Sequence, residues 1–250
     1  MYFRSLIVVF LTFAYIFIVG PPVIFHAMLT GQTDTLYSVG RWGARMVLWL
    51  AGVKLEVTGL EKIPKDRAVV FMPNHQSYGD AAAAISILPP IRALAKKEFF
   101  RVPVIGWGMR LRGFIPVDRR NRERAIRAVN EATERLKAGE SFVAFPEGTR
   151  SPDGRLQPFK KGVFVMAINA GAPIIPMSIS GSYRIMRKDN WAIHPGVVRI
   201  TLHDAVPTAG TTMHDRAEIM ARVRQAILTG LTSEEQPRED NGERRKEAHS

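Results

Sequence analysis

His75 and Asp80 stand five positions apart in the run Asn-His-Gln-Ser-Tyr-Gly-Asp (74–80), directly after the apolar stretch Ala68 to Met72 and before Ala-Ala-Ala-Ala-Ile-Ser-Ile-Leu. An imidazole gains and loses a proton near neutral pH. If a carboxylate folds back onto it across a loop entering a helix, one ring nitrogen is fixed as donor and the other is left to take a proton from an alcohol. The same carboxylate would equally serve as a helix cap. A helix beginning after Asp80 would present main-chain N–H groups to a developing oxyanion.

Three further clusters carry usable chemistry. Phe-Pro-Glu-Gly-Thr-Arg-Ser (145–151) follows another apolar run and opens a turn-rich loop through Pro152, Asp153 and Gly154. Gly148 permits close backbone approach, Arg150 offers a planar fork for a phosphate, Thr149 and Ser151 can donate hydrogen bonds, and Glu147 can orient the arginine or hold a hydroxyl. A tight turn with a surface ion pair explains that composition as well. Gly-Phe-Ile-Pro-Val-Asp-Arg (113–119) places an acid and Arg119 at the end of a short apolar run, and Ala-Pro-Ile-Ile-Pro-Met-Ser (172–178) can wall an apolar site at Pro176 or be plain core.

Elements must deliver these residues to one place. Val53, Leu55 and Val57 alternate with polar neighbours as in a half-buried strand, whereas Ala68 to Met72 is continuous, as in a central one. Further short apolar runs lie at 114–117, 141–145, 174–179 and 197–202. Helical patterns fall between them. Arg122 to Lys137 is the clearest, with Ile126, Val129, Ala132 and Leu136 on one stripe, Asn121 as cap and Gly139 as stop; 162–170 and 215–228 are others. Alternating strands and helices predict an α/β fold, a mixed β-sheet flanked by helices, with catalytic groups at the sheet edge where strands end.

From Ser5 to Thr33 there is no charged residue, and the apolar run is interrupted by Gly20-Pro21-Pro22. A spanning helix needs about 20 apolar residues, so the expectation is an uncleaved anchor, either a kinked span or a re-entrant hairpin, in preference to a cleaved signal peptide. Tyr37 to Leu50 has the pattern of an amphipathic interfacial helix; Trp42 and Trp49 suit an interface, or a core. Arg41, Arg45 and Lys54 after the apolar segment predict that the basic domain faces the cytoplasm. The expected division is 1–52 anchor and interfacial helix, 53–233 α/β domain, and 234–250 a disordered charged tail.

The net charge is +12, and eleven Lys/Arg against three acids fall between Arg92 and Arg127, so a polyanionic partner is expected. There is no cysteine, which excludes disulfides, thiolate nucleophiles and thiolate zinc sites. The six histidines form no metal motif, and Ser77 sits in no G-x-S-x-G elbow. Neither a metal nor another cofactor is expected.

The four clusters, in this order and spacing, resemble the four motifs of the glycerolipid acyltransferase family, which contains the 1-acyl-sn-glycerol-3-phosphate acyltransferases. The resemblance covers roughly Leu55 to Ser182. It implies His75 as general base with Asp80 as its partner, an acceptor-phosphate site holding Arg119, Glu147, Gly148, Thr149 and Arg150, a weaker counterpart in Lys97, and Pro176 beside the site. It implies transfer of an acyl group from acyl-CoA or acyl carrier protein to lysophosphatidate at the bilayer surface, with no nucleic acid involved. Pro116 stands where the family often has an aromatic or aliphatic residue, which bears on acceptor identity. Another lysolipid or an amino-acid lipid as acceptor, a basic protein that only binds anionic lipid, and a lipid hydrolase are the competing readings.

Overall fold

The structure, a computed structural model, describes residues 2–188 and 190–238. The expected charged tail falls outside the described residues from 239 onward. Two helices lead, α1 (Tyr2–Thr30) and α2 (Asp34–Leu50). There follow β1 (Val53–Thr58), β2 (Val70–Pro73), α3 (Gly79–Ile87), β3 (Arg92–Lys96), α4 (Ile105–Leu111), β4 (Ile115–Val117), α5 (Arg122–Lys137) and β5 (Phe142–Val143). The chain continues through α6 (Gly162–Ala170), β6 (Ile174–Ser180), α7 (Ser182–Ile185), β7 (Gly196–Leu202) and α8 (Arg216–Thr229).

The seven strands form one sheet in the order β1-β7-β6-β2-β5-β3-β4, with every pairing parallel except β6 with β7. The continuous apolar run is thus the central strand, as its composition requires, since both its faces are covered. Val70 and Met72 join one core with α5, α6 and α8, while Val69 and Phe71 join the opposite core with α2 and α3. A side chain such as Phe71, fully removed from water, contributes about 2–3 kcal/mol.

Helix α5 has the expected bounds, and Asn121 Oδ1 accepts the Arg124 N–H at 3.0 Å. Its buried line differs from the expected stripe, however. Ala128, Ala132, Thr133 and Leu136 face the core and Ile126 is half exposed, because α5 meets α6 through small residues. Strand β3 was not expected at all. Its Arg-Ala-Leu-Ala-Lys sequence ends in cations at both termini, so only its charge was visible.

The Gly-Pro-Pro step does not break α1, which runs through Pro21 and Pro22 as one helix; the chain turns back only at residues 31–33, and α2 packs antiparallel on α1, with the Tyr15 hydroxyl donating to the Val39 carbonyl at 2.8 Å. Helix α1 is long and apolar enough to cross a membrane, and little of it is buried. Phe3, Phe10, Ile18, Phe25 and Leu29 are exposed along it. Trp42 and Trp49 are exposed too, so neither is a core tryptophan.

Helix α1 is fastened at both ends of a long stretch. Ser5 Oγ accepts the Ile193 N–H at 2.8 Å, and Gly20 forms the notch that takes the Val104 side chain, whose Cγ1 lies 2.4 Å from where a Cβ on residue 20 would be. Val104 has φ 65°, a left-handed conformation costly for a β-branched residue. Helix α2 in turn grips the end of α3: Arg41 and Arg45 donate to the Ser86 carbonyl at 3.0 and 3.1 Å, and the Tyr37 hydroxyl donates to that of Leu88 at 3.2 Å. These arginines, expected at a membrane surface, bind the carboxyl end of a domain helix.

At the C-terminal end, Glu235 is buried. Its carboxylate accepts from Ser180 Oγ and the Gly181 N–H, both at 2.7 Å, so the packed fold extends past residue 233. The Gly20 notch yields a test. Gly20→Ala should cost about 1–3 kcal/mol through its collision with Val104, and adding Val104→Gly, which removes both the methyls and the φ penalty, should restore most of it. Thermal unfolding of the two proteins in detergent reads this coupling.

Candidate active site

Strand β2 ends at Pro73, and the next residue continues its ladder by side chain. Buried Asn74 donates from Nδ2 to the Ile179 carbonyl at 2.9 Å and accepts the Ile179 N–H on Oδ1 at 2.7 Å. The chain then turns into α3, whose first turn carries Asp80, where a helix N-terminus favours a carboxylate. Asp80 Oδ2 receives three partners: His75 Nδ1 at 2.8 Å and the N–H groups of Gln76 and Ser77 at 2.7 Å each. An acceptor so occupied assigns the proton to Nδ1 and leaves the Nε2 lone pair available as a base. The His75 side chain keeps 18% of its surface, and its ring stacks on Phe145 with centroids 4.1 Å apart.

Three main-chain N–H groups ahead of Asp80 are engaged, and the donors expected past Asp80 are not among them. Those of residues 76 and 77 serve Asp80, and that of Gly79 serves Ser77 Oγ at 3.2 Å.

The loop after β5 clamps the backbone of His75 from both sides. Glu147 Oε1 accepts the His75 N–H at 2.6 Å, and the Ser151 N–H donates to the His75 carbonyl at 2.7 Å. Glu147 Oε2 accepts the Gln157 N–H at 3.0 Å. Glu147 is 2% exposed and presents no oxygen to solvent; burial pushes its carboxyl up to about 8, against the pull of the two N–H donors. Gly148 has φ 70°, and a Cβ there would stand 3.2 Å from Lys160 Cγ. Arg150 lies flat over the Tyr78 ring, 3.3 Å from its centroid, with Nη1 buried and lacking a partner. Thr149 is exposed.

Lys97 and Arg119 follow the adjacent parallel strands β3 and β4. Lys97 Nζ bonds Asp118 Oδ2 at 2.6 Å, a contact that holds the Asp118 carboxyl below its ordinary range. Arg119 is exposed next to it. These two cations share the carboxyl edge of the sheet with His75 and have no direct contact to it. Pro176 lies within β6 opposite Met72, buried in the sheet and short of the level of His75.

His75, Asp80 and Glu147 therefore form one contacting group, Arg150 lies beside it on Tyr78, and Lys97 and Arg119 stand together further along the edge. Phe145, Tyr78 and Gln157 were not singled out from the sequence, although the first two lie within its motifs. Among the described residues, no three His, Asp or Glu side chains converge as metal ligands would.

Comparison with known proteins identifies the family. The Acyltransferase family profile matches residues 54–180, half of the chain. A Pseudomonas aeruginosa 1-acyl-sn-glycerol-3-phosphate acyltransferase is 32% identical over 192 residues, 74% of this chain and 73% of that one. A chloroplastic 1-acyl-sn-glycerol-3-phosphate acyltransferase of Brassica napus is 37% identical over 155 residues, 61% of this chain and 45% of that one. The chain spans about half the length of the chloroplastic relatives it matches. The crystal structure of the 1-acyl-sn-glycerophosphate acyltransferase of Thermotoga maritima superposes with a TM-score of 0.82 at 30% identity, covering 91% of this chain and 93% of that one. With this profile match and these relatives, the chain belongs to the acyltransferase family.

Proposed function

We propose that the protein transfers a fatty acyl group from acyl-CoA or acyl carrier protein to the sn-2 hydroxyl of lysophosphatidate, giving phosphatidate. The observation that carries this reading is the 2.8 Å bond from His75 Nδ1 to Asp80, which leaves Nε2 of a partly exposed ring as a base at the sheet edge. His75 removes the acceptor's proton as its oxygen attacks the thioester carbonyl. The thiolate leaves, and no acyl-enzyme forms. Asp80 stabilises the imidazolium as it develops. Arg150 on its tyrosine platform, with Lys97 and Arg119, holds the acceptor phosphate. Glu147 acts through the His75 backbone, as a positioning residue. Helix α1 keeps the enzyme at a bilayer, and the cations on the domain favour the cytoplasmic face of the inner membrane.

Transfer of labelled acyl groups from both donors to lysophosphatidate, beside a neutral acceptor, tests the proposal. His75→Ala should lower kcat about 10²–10⁴-fold with little change in KM. Equal rates on the neutral acceptor, or an active His75→Ala protein, would refute it. Release of free fatty acid without acceptor would mark a hydrolase instead.

Glu147 adds a pH signature. Its folded-state value near 8 lies above the 4.5 of an ordinary glutamate, so the folded protein binds more protons than the unfolded chain between those values. Stability from this group therefore falls as pH rises through that window. Glu147→Gln should abolish this slope while costing about 1–3 kcal/mol for the acceptor it loses; denaturant unfolding at pH 5 and pH 8 measures both effects.

A further inference from the structure

The sheet edge that carries His75 has a second basic region on its other side. The acceptor cations follow β3 and β4; across β2, where β6 ends and β7 begins, a cavity of about 780 Å³ opens. It falls within the roughly 300–1,000 Å³ of small-molecule sites. Arg155, Arg184, Arg187, Arg199 and Arg238 line it, against Asp153, Glu234 and Glu235. Glu235 is tied into the fold by Ser180 and Gly181 and does not offset the surface cations. Arg184 pairs with Glu234 and Arg199 with Glu56 through exposed side chains, and the partly buried Arg155 stands 3.9 Å from Asp153; exposed and long pairs of this kind are worth little, so they yield to a more highly charged anion.

The cavity wall is bonded to the two residues that follow His75. Gln76 Nε2 donates to the Gly154 carbonyl at 2.9 Å, and Ser77 Oγ donates to the Met186 carbonyl at 2.9 Å. A ligand here lies beside the catalytic turn, on the side away from Lys97 and Arg119. Two anionic-headed substrates that react over one imidazole must keep their heads apart, since like charges at close range repel.

We propose that this cavity binds the phosphorylated adenosine head of coenzyme A, so that the donor enters across β6 and β7 and the acceptor across β3 and β4. The assignment rests on the acyl-transfer reading. Guanidinium forks suit the 3′-phosphate and diphosphate. The Tyr183 ring, with Arg187 placed 5.3 Å from its centroid, gives the base a flat surface. A concavity of this volume admits a nucleotide and excludes a folded carrier protein, whose headgroup arm alone could enter.

The test uses the full chain in detergent and the Arg184→Glu/Arg187→Glu protein, both positions being exposed. Calorimetric titration with adenosine 3′,5′-bisphosphate should show binding to the wild type and loss of at least about tenfold in affinity in the variant. The KM for palmitoyl-CoA should rise by a similar factor, with kcat and the lysophosphatidate KM unchanged. Unaltered bisphosphate binding and palmitoyl-CoA KM in the variant would overturn the assignment, as would a defect confined to transfer from acyl carrier protein. If the wild type binds the bisphosphate, the variant does not, and neither transfers acyl groups, the nucleotide site stands and the acyl-transfer reading falls.

Discussion

One carboxylate oxygen organises the catalytic turn. Asp80 Oδ2 gathers the His75 ring and the N–H groups of residues 76 and 77, so the bonds that orient the base are the bonds that shape the turn. Loss of that oxygen would leave two N–H groups without an acceptor and the imidazole free to change tautomer. The requirement propagates outward. Asn74 ties the start of the turn to β6, Glu147 and Ser151 hold His75 by its own backbone, and α2 grips the far end of the helix whose first turn carries Asp80. The base is thus fixed through the main chain, and its ring rests against Phe145. A few tenths of an ångström in any of these loops would be felt at Nε2.

The electrostatic design separates two tasks. Buried carboxylates at Asp80 and Glu147 accept from backbone and ring, whereas the arginines and lysine at the sheet edge stay at least partly open to solvent, where they can meet phosphate. Glu147 and Arg150 are three residues apart in one motif yet do different work. The acid faces inward to main chain, and the base lies outward on Tyr78.

Much of this was legible in the residues. Alternation along β1, the continuous apolar β2 and the capped α5 are local patterns, and local patterns survive folding. The His75–Asp80 spacing likewise foretold its bond, because a loop entering a helix leaves few geometries for a carboxylate five positions on. What escaped notice depended on distant partners. β3 is a strand because β4 and β5 flank it, not because of its own Arg-Ala-Leu-Ala-Lys. Glu235 belonged to a charged run until Ser180 and Gly181 supplied donors for it. Ile126 kept helical spacing but lost its place in the core once α5 turned its small residues to α6. Glu147 resembled a substrate ligand in sequence, and only the fold reveals the two N–H groups it serves.

The two fastenings of α1 at Ser5 and Gly20 are fifteen residues apart, about 22 Å along a helix. A rod bolted at two such points cannot stand away from the sheet edge like a mast on a float; whatever depth it takes, the catalytic edge takes nearly the same. Under the proposed activity, a lysolipid reacts at its resting level in the leaflet. Lifting its acyl chain into water would cost about 0.8 kcal/mol for every methylene exposed, a barrier this geometry avoids without any moving part.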